Sequence, residues 1–220
     1  MISIKVSSNL KLNCPNTKLG CIQAQVQYEK EWPELWSEID RLVNQKRYDL
    51  QLDQIVRLPI IKATRKAYRA LGKEPSRYRC SAEALLRRIL RGKSLYHINN
   101  LVDIINYISI SFHYSIGCYD LGKLVPPIIF DVGQIGESYR AIGRGLMNIE
   151  SLPIFRDQLG PFGSPTSDSE RSMISGHTKE ILIVIISFNE PAFLRAALNQ
   201  TVTCLKNYAR TDNFEVKIIS

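Results

Sequence analysis

The sequence predicts a single α+β domain spanning residues 1–220, and three observations predict it. Cys21 to Tyr28 alternates Ile22, Ala24, Val26 and Tyr28 with Gln23, Gln25 and Gln27, the period of a strand with one buried face. Ile181 to Phe188 is an almost unbroken apolar run, the pattern of a central strand. Between them, apolar residues recur at helical spacing, so helices and strands are interspersed along the chain. At 220 residues, with 45% hydrophobic and 23% charged residues, the chain has the size and composition to bury one sizeable core.

The elements follow in order. Ile2 to Val6 reads as a first strand expected to pair with Cys21 to Tyr28, and the stretch around it lacks the apolar core of a secretory signal. Pro33 opens a helix whose Leu35, Trp36, Ile39, Leu42 and Val43 form a stripe expected to cover a sheet. A second helical stretch runs from about Leu50 to Leu71, with a break available at Pro59 and Gly72 placed to cap its end. A third helix begins at Ser81. Leu95 to Ser111 suits either a helix or a strand pair. Pro127 to Val132 and Tyr139 to Ile142 read as strands among turns at Gly133, Gly136, Gly143 and Gly145. Gly160 to Ser175 has loop composition. The final helix is expected near Pro191, with Leu194, Leu198, Cys204 and Leu205 inward, and Phe214 to Ile219 adds a last strand.

Several function classes are disfavoured. The longest apolar run, Ile181 to Ile186, falls far short of the roughly 20 residues that cross a bilayer. Cys14, Cys21, Cys80, Cys118 and Cys204 are scattered without a CxxC pair, which speaks against a disulfide framework or zinc site and for buried thiols in a reducing cytoplasm. His97, His113 and His177 lack metal-ligand spacing, and no GxSxG nucleophile motif occurs, so neither metal nor cofactor is expected. The formal charge of +8 suits a polyanionic partner. It is densest around the second and third helices, at Lys62, Arg65, Lys66, Arg69, Arg77, Arg79, Arg87, Arg88 and Arg91, with Lys73 and Lys93. Such a run is either a solvated face or an RNA-binding surface.

Two segments have pocket chemistry. In the loop Gly163 to Arg171, turn N–H groups and the hydroxyls of Ser164, Thr166, Ser167 and Ser169 suit a ribose or carboxylate, Asp168 suits an α-amino group, and Arg171 suits a phosphate; the alternative is an ordinary capped turn. In Tyr96 to Tyr107, Asn99, Asn100, Asp103 and Asn106 interrupt an apolar stretch, and buried amides there are satisfied either by loop backbone or by a ligand.

The segment INNLVDIINYISISFHYSIGCYDL resembles the motif of the B3/B4 tRNA-editing domain of the phenylalanyl-tRNA synthetase beta subunit, approximately I-N-x-V-V-D-x-x-N-Y followed by G-Q-P-x-H-x-F-D. Ile98, Asn99, Val102, Asp103, Asn106, Tyr107 and Asp120 fit it, and Tyr119 replaces the aromatic. GPFG ending at Gly163 resembles the family's glycine-rich turn, and ILIVIISF with Pro191 its later strand and corner, so the likeness is strongest over 81–205. This resemblance implies a mixed or antiparallel sheet flanked by helices, a tRNA partner, and hydrolysis of a mischarged aminoacyl-tRNA in trans, without aminoacylation machinery. Gly117 stands where the family has a pocket histidine and Val184 where it has a glutamate, which would make one pocket wall more apolar. The expected substrate site is Asn99, Asn100, Asn106, Gly117, Gly163, Ser164, Thr166, Ser167, Asp168 and Arg171, with no general base assigned. A non-catalytic RNA-binding module and a pocket for a free amino-acid-like molecule are the alternatives.

Overall fold

The computed structural model describes residues 1–189 and 193–220. Its elements are β1 (Ile4–Val6), α1 (Ser8–Asn13), β2 (Lys18–Gln25), α2 (Pro33–Asp49), α3 (Pro59–Ala70), α4 (Ser81–Leu90), α5 (Asn100–Phe112), β3 (Ser115–Asp120), β4 (Ile128–Val132), β5 (Ser138–Ala141), β6 (Gly145–Asn148), β7 (Pro153–Asp157), β8 (Gly160–Gly163), β9 (Glu180–Ser187), α6 (Leu194–Ala209) and β10 (Phe214–Ile219).

The expected α+β class holds, as two packed sheets with most of the helices on one outer face and α1 against β4. One sheet has the order β1-β4-β7-β8 and the other β10-β2-β9-β3, while β5 and β6 form a separate hairpin. β9 lies inside the second sheet, antiparallel to both β2 and β3. Leu182, Val184 and Ile186 point into a core shared with Phe130, Phe155 and Phe162 of the first sheet. Ile181, Ile183 and Ile185 point the other way, into a core built with α5 and α6. Burial on both faces is why the strand reads as continuous rather than alternating hydrophobicity.

Gly20 of β2 lies beneath Leu194 and Leu198 of α6, so the helix approaches the sheet closely. Asn100, expected at the site, is a buried brace: its amide donates to the carbonyls of Gln27 and Tyr208 (2.8 and 2.7 Å) and accepts from the Glu29 N–H (2.9 Å). Asp103 accepts from Trp36 Nε1 at 2.8 Å and ties α5 to α2. A third core, including Tyr68, Ala82, Tyr139 and Ile154, seats the β5–β6 hairpin.

Several sequence expectations are corrected. The first strand pairs in parallel with β4, Ile4 opposite Ile128, because both edges of β2 are already taken by β9 and β10. The stripe of α2 rests on α5 and α4, which places this helix in an outer layer. Leu50 to Leu71 contains a 3-10 turn, Ile55–Arg57, before α3 opens at Pro59. Gly72 does close α3: at φ +86° it lets the N–H groups of Gly72 and Lys73 reach the carbonyls of Arg69 and Tyr68 (3.0 and 2.8 Å). Leu95 to Ser111 resolves as α5, with Asn99 accepting from the Val102 N–H at 2.9 Å as N-cap. The 160–175 loop begins with a strand, β8. Pro191 lies outside the described residues, and α6 begins at Leu194.

The aromatic centre of the sandwich stacks Phe155 on Phe130, ring centroids 4.3 Å apart, with Tyr119 edge-on to it at 5.9 Å. Phe155→Ala is expected to lower the unfolding free energy by about 3–5 kcal/mol in urea denaturation.

Candidate functional site

α5 and the edge strand β3 enclose a cavity of about 270 Å³, closed by the turn after β5 and by residues 168–174. α5 and its leading residues contribute Ile98, Asn99, Val102, Ile105 and Asn106; β3 contributes Ile116 and Cys118; Ile142, Asp168, Met173 and Ile174 complete the lining. The lining is mainly apolar, and Asp168 is the one charged group among the described residues that form it. Burial raises the Asp168 carboxyl to about 7, a value the hydrogen bond from Tyr119 holds down rather than up. The Asn106 amide makes no hydrogen bond to the described residues, so it is free to meet a ligand.

Tyr119 donates its phenolic proton to Asp168 Oδ1 at 2.9 Å. Its ring runs back over Gly117, and its hydroxyl also abuts Gly163; a Cβ at either glycine would overlap the phenol. The two glycines are therefore required by volume, with no left-handed backbone at either.

This geometry sorts the ten expected site residues. Asn99, Asn106 and Asp168 line the cavity. Gly117 and Gly163 sit under the phenol that positions Asp168. Ser164 is consumed within its loop, accepting from the Tyr139 hydroxyl at 3.0 Å and donating to the Ser167 carbonyl at 2.9 Å. Thr166 bonds the Tyr68 hydroxyl at 2.8 Å, and the Ser167 N–H returns to Ser164 Oγ at 3.2 Å. Arg171 is held bidentately by Asp157 (2.9 and 3.1 Å) and by the Gly160 carbonyl, and is not among the residues that line the cavity. The Ser164 and Thr166 hydroxyls thus hold the loop, because a buried turn must satisfy its own polar atoms first, while the Ser167 hydroxyl bonds none of the described residues.

Val184 is also corrected. It is the register partner of Gly117, fully buried between the sheets, on the face opposite the cavity. The wall it was expected to form is made by Ile116 and Cys118, whose side chains alternate to the other side of β3. Sequence reasoning missed Cys118 of β3, Ile142 of the turn after β5 and Met173 of the loop after β8, three separate segments that share no local pattern.

A family model described as the B3/4 domain matches residues 63–209. The chain belongs to the B3/4 domain family. Among solved structures, an N-terminal fragment of the phenylalanyl-tRNA synthetase beta subunit from Pyrococcus horikoshii aligns at 16% identity and a TM-score of 0.48, covering 99% of this chain and 50% of the fragment. The chain thus spans half the length of that structure. No curated protein matches it in sequence.

The B3/4 match contains most of the basic segment, which the fold divides into parts. Glu83, fully buried in α4, accepts from Arg65 (2.9 Å) and Arg87 (2.8 Å), with Arg79 4.0 Å away. Arg65 is thereby a brace between α3 and α4 rather than a free contact. Lys73 is likewise committed, to the Glu150 carbonyl at 2.5 Å. Arg77, Arg79, Arg87, Arg88, Arg91 and Lys93 border one cleft of about 220 Å³, joined by Arg144 from the β5–β6 turn. Lys62 and Arg69 border a second with Arg57 and Arg65, and Lys66 is exposed beside neither. No described helix is long and apolar enough to cross a membrane, and no described cluster of His, Cys, Asp or Glu could hold a metal ion.

Two outcomes follow from the Tyr119–Asp168 pair. The folded protein holds Asp168 near 7 against an ordinary 3.8, so its ionised form is penalised by folding; the penalty is absent below about 4, grows as pH rises and is complete above 7. Asp168→Asn, which keeps the acceptor for Tyr119, is expected to melt above wild type at pH 8 with the gap closing towards pH 4, measured by calorimetry. Gly117→Ala is expected to cost about 1–3 kcal/mol by overpacking and to displace the phenol from Asp168. Without that donor the carboxylate is less well stabilised, so the Asp168 titration midpoint should rise, read by NMR.

Proposed function

We propose that this B3/4 domain takes the aminoacyl end of a tRNA into the Asp168 cavity and hydrolyses the ester, acting as an editing deacylase on tRNA charged elsewhere. The observation that carries the reading is a carboxyl group set alone among the described residues of an otherwise uncharged, mainly apolar cavity, where burial pushes it up to about 7. A base with that pKa is half ionised at neutral pH and strong enough to take a proton from water.

The chemistry needs little more. The amino-acid side chain lies against Ile105, Ile116 and Val102. Ionised Asp168 accepts a proton from a water that adds to the ester carbonyl. As the carbonyl reforms, the C–O bond to the ribose breaks, and the ribose oxygen recovers the proton from Asp168. Tyr119 keeps the carboxylate aimed, and the free Asn106 amide is available to donate to the developing oxyanion. Membership of the B3/4 family and the clustered arginines support a tRNA as the carrier of the ester.

The test is release of labelled amino acid from a panel of correctly and wrongly charged tRNAs. One or a few aminoacyl-tRNAs are expected to be cleaved, with kcat rising through pH 7 to a plateau. Asp168→Asn should lower kcat by about 100-fold or more with KM little changed. Salt-sensitive tRNA binding without release from any aminoacyl-tRNA would replace the enzyme with a binding module. If Asp168→Asn raises KM alone, the carboxylate holds the α-amino group and a different group activates water.

A further inference from the structure

The arginine cleft is built rather than scattered. Behind it, Glu83 has both oxygens engaged by Arg65 and Arg87 and fixes where α4 presents its basic residues. The Schellman turn that ends α4, with the N–H of Gly92 on the Ile89 carbonyl (3.0 Å) and that of Lys93 on the Arg88 carbonyl (3.2 Å), brings Arg91 and Lys93 round to the same side. Arg77, Arg91, Lys93 and Arg144 pair with no acid among the described residues, and no described acidic side chain borders the cleft. So many unneutralised cations in one concavity repel one another, and an anion placed among them relieves that repulsion.

The cleft also adjoins the cavity through one short turn. The Asp168 carbonyl accepts from the Ile142 N–H at 2.9 Å, Ser169 bridges Ala141, and the Arg144 N–H returns to the Ala141 carbonyl at 3.1 Å. Ile142 lines the cavity and Arg144 lines the cleft, two residues apart, so their Cα atoms lie within about 7 Å. One residue, Asp168, offers its carboxylate to the first space and anchors the turn that reaches the second.

We propose that this cleft is a phosphate subsite that grips the backbone of the RNA strand whose 3′ end enters the cavity, with Arg144 joining the two sites; the assignment rests on the aminoacyl-tRNA reading above. Guanidinium groups bind phosphate oxygens bidentately, and several on one wall follow successive phosphates of a strand. The second basic cleft, at Lys62 and Arg69, is not joined to the cavity by any such turn among the described residues and serves as the internal comparison.

The experiment measures binding of a fluorescent single-stranded RNA pentamer ending in CCA, across salt concentrations, to the full chain and to two double variants. Arg91→Gln with Arg144→Gln is expected to weaken binding by about tenfold and to flatten the salt slope by about 0.7 for each phosphate left without its cation. Lys62→Gln with Arg69→Gln should leave both nearly unchanged. Circular dichroism melting confirms that each variant folds, since none of the four residues is buried. Equal losses in the two variants, or loss only in the second, would overturn the subsite. Inorganic phosphate competing as well as the pentamer at equal phosphate concentration would also overturn it, by showing a site for free phosphate. Arginine-dependent pentamer binding without deacylation would uphold the subsite and sink the deacylase; deacylation that ignores Arg91 and Arg144 would do the reverse.

Discussion

β9 carries apolar side chains on both faces, and each face needs its own cover. The phenylalanine-rich sheet supplies one and the α5–α6 pair the other, so sheet, strand and helices form three layers stacked on a single six-residue run. Because β9 and β2 occupy the inside of their sheet, β3 is left at an edge. At that edge the loop carrying Asp168 meets the Tyr119 side chain of β3. The cavity is therefore a by-product of the layering: it lies where the helical cover stops and the loop from the other sheet takes over.

The sequence was most legible where one local pattern decided the outcome. β9, α2, α4, β4 and β10 follow from periodicity, a leading proline or an apolar run, with only small differences in their ends. The partner of β1 was not legible, because pairing depends on which edges other strands leave free. Nor were β3 and β7: β3 carries Ser115 and Gly117, and β7 opens on a proline, so neither shows clean alternation. In the site, Asn99, Asn106 and Asp168 were legible as polar residues set among apolar ones. Ser164, Thr166 and Arg171 are taken up by the protein itself, since the hydrogen-bonding capacity that suits a ligand suits a tight buried turn equally well.

The fold gives the motif residues unequal roles. Ile98, Val102 and Asn106 face the cavity, while Asp103 and Asp120 are tied to Trp36 and Thr178 and hold elements in place. Asn99 does both, capping α5 and lining the space below it. A family signature here is largely the description of a scaffold, and its chemistry depends on what the neighbouring loop brings to the edge of β3.

Residues 117, 119 and 163 divide one small volume among themselves. With Tyr119 present, the phenol fills the room above both glycines. Any side chain at position 117 would therefore contend with the Tyr119 ring for the same space in this backbone. Size at these three positions is coupled by steric exclusion: room for a larger residue at 117 or 163 comes from a smaller one at 119.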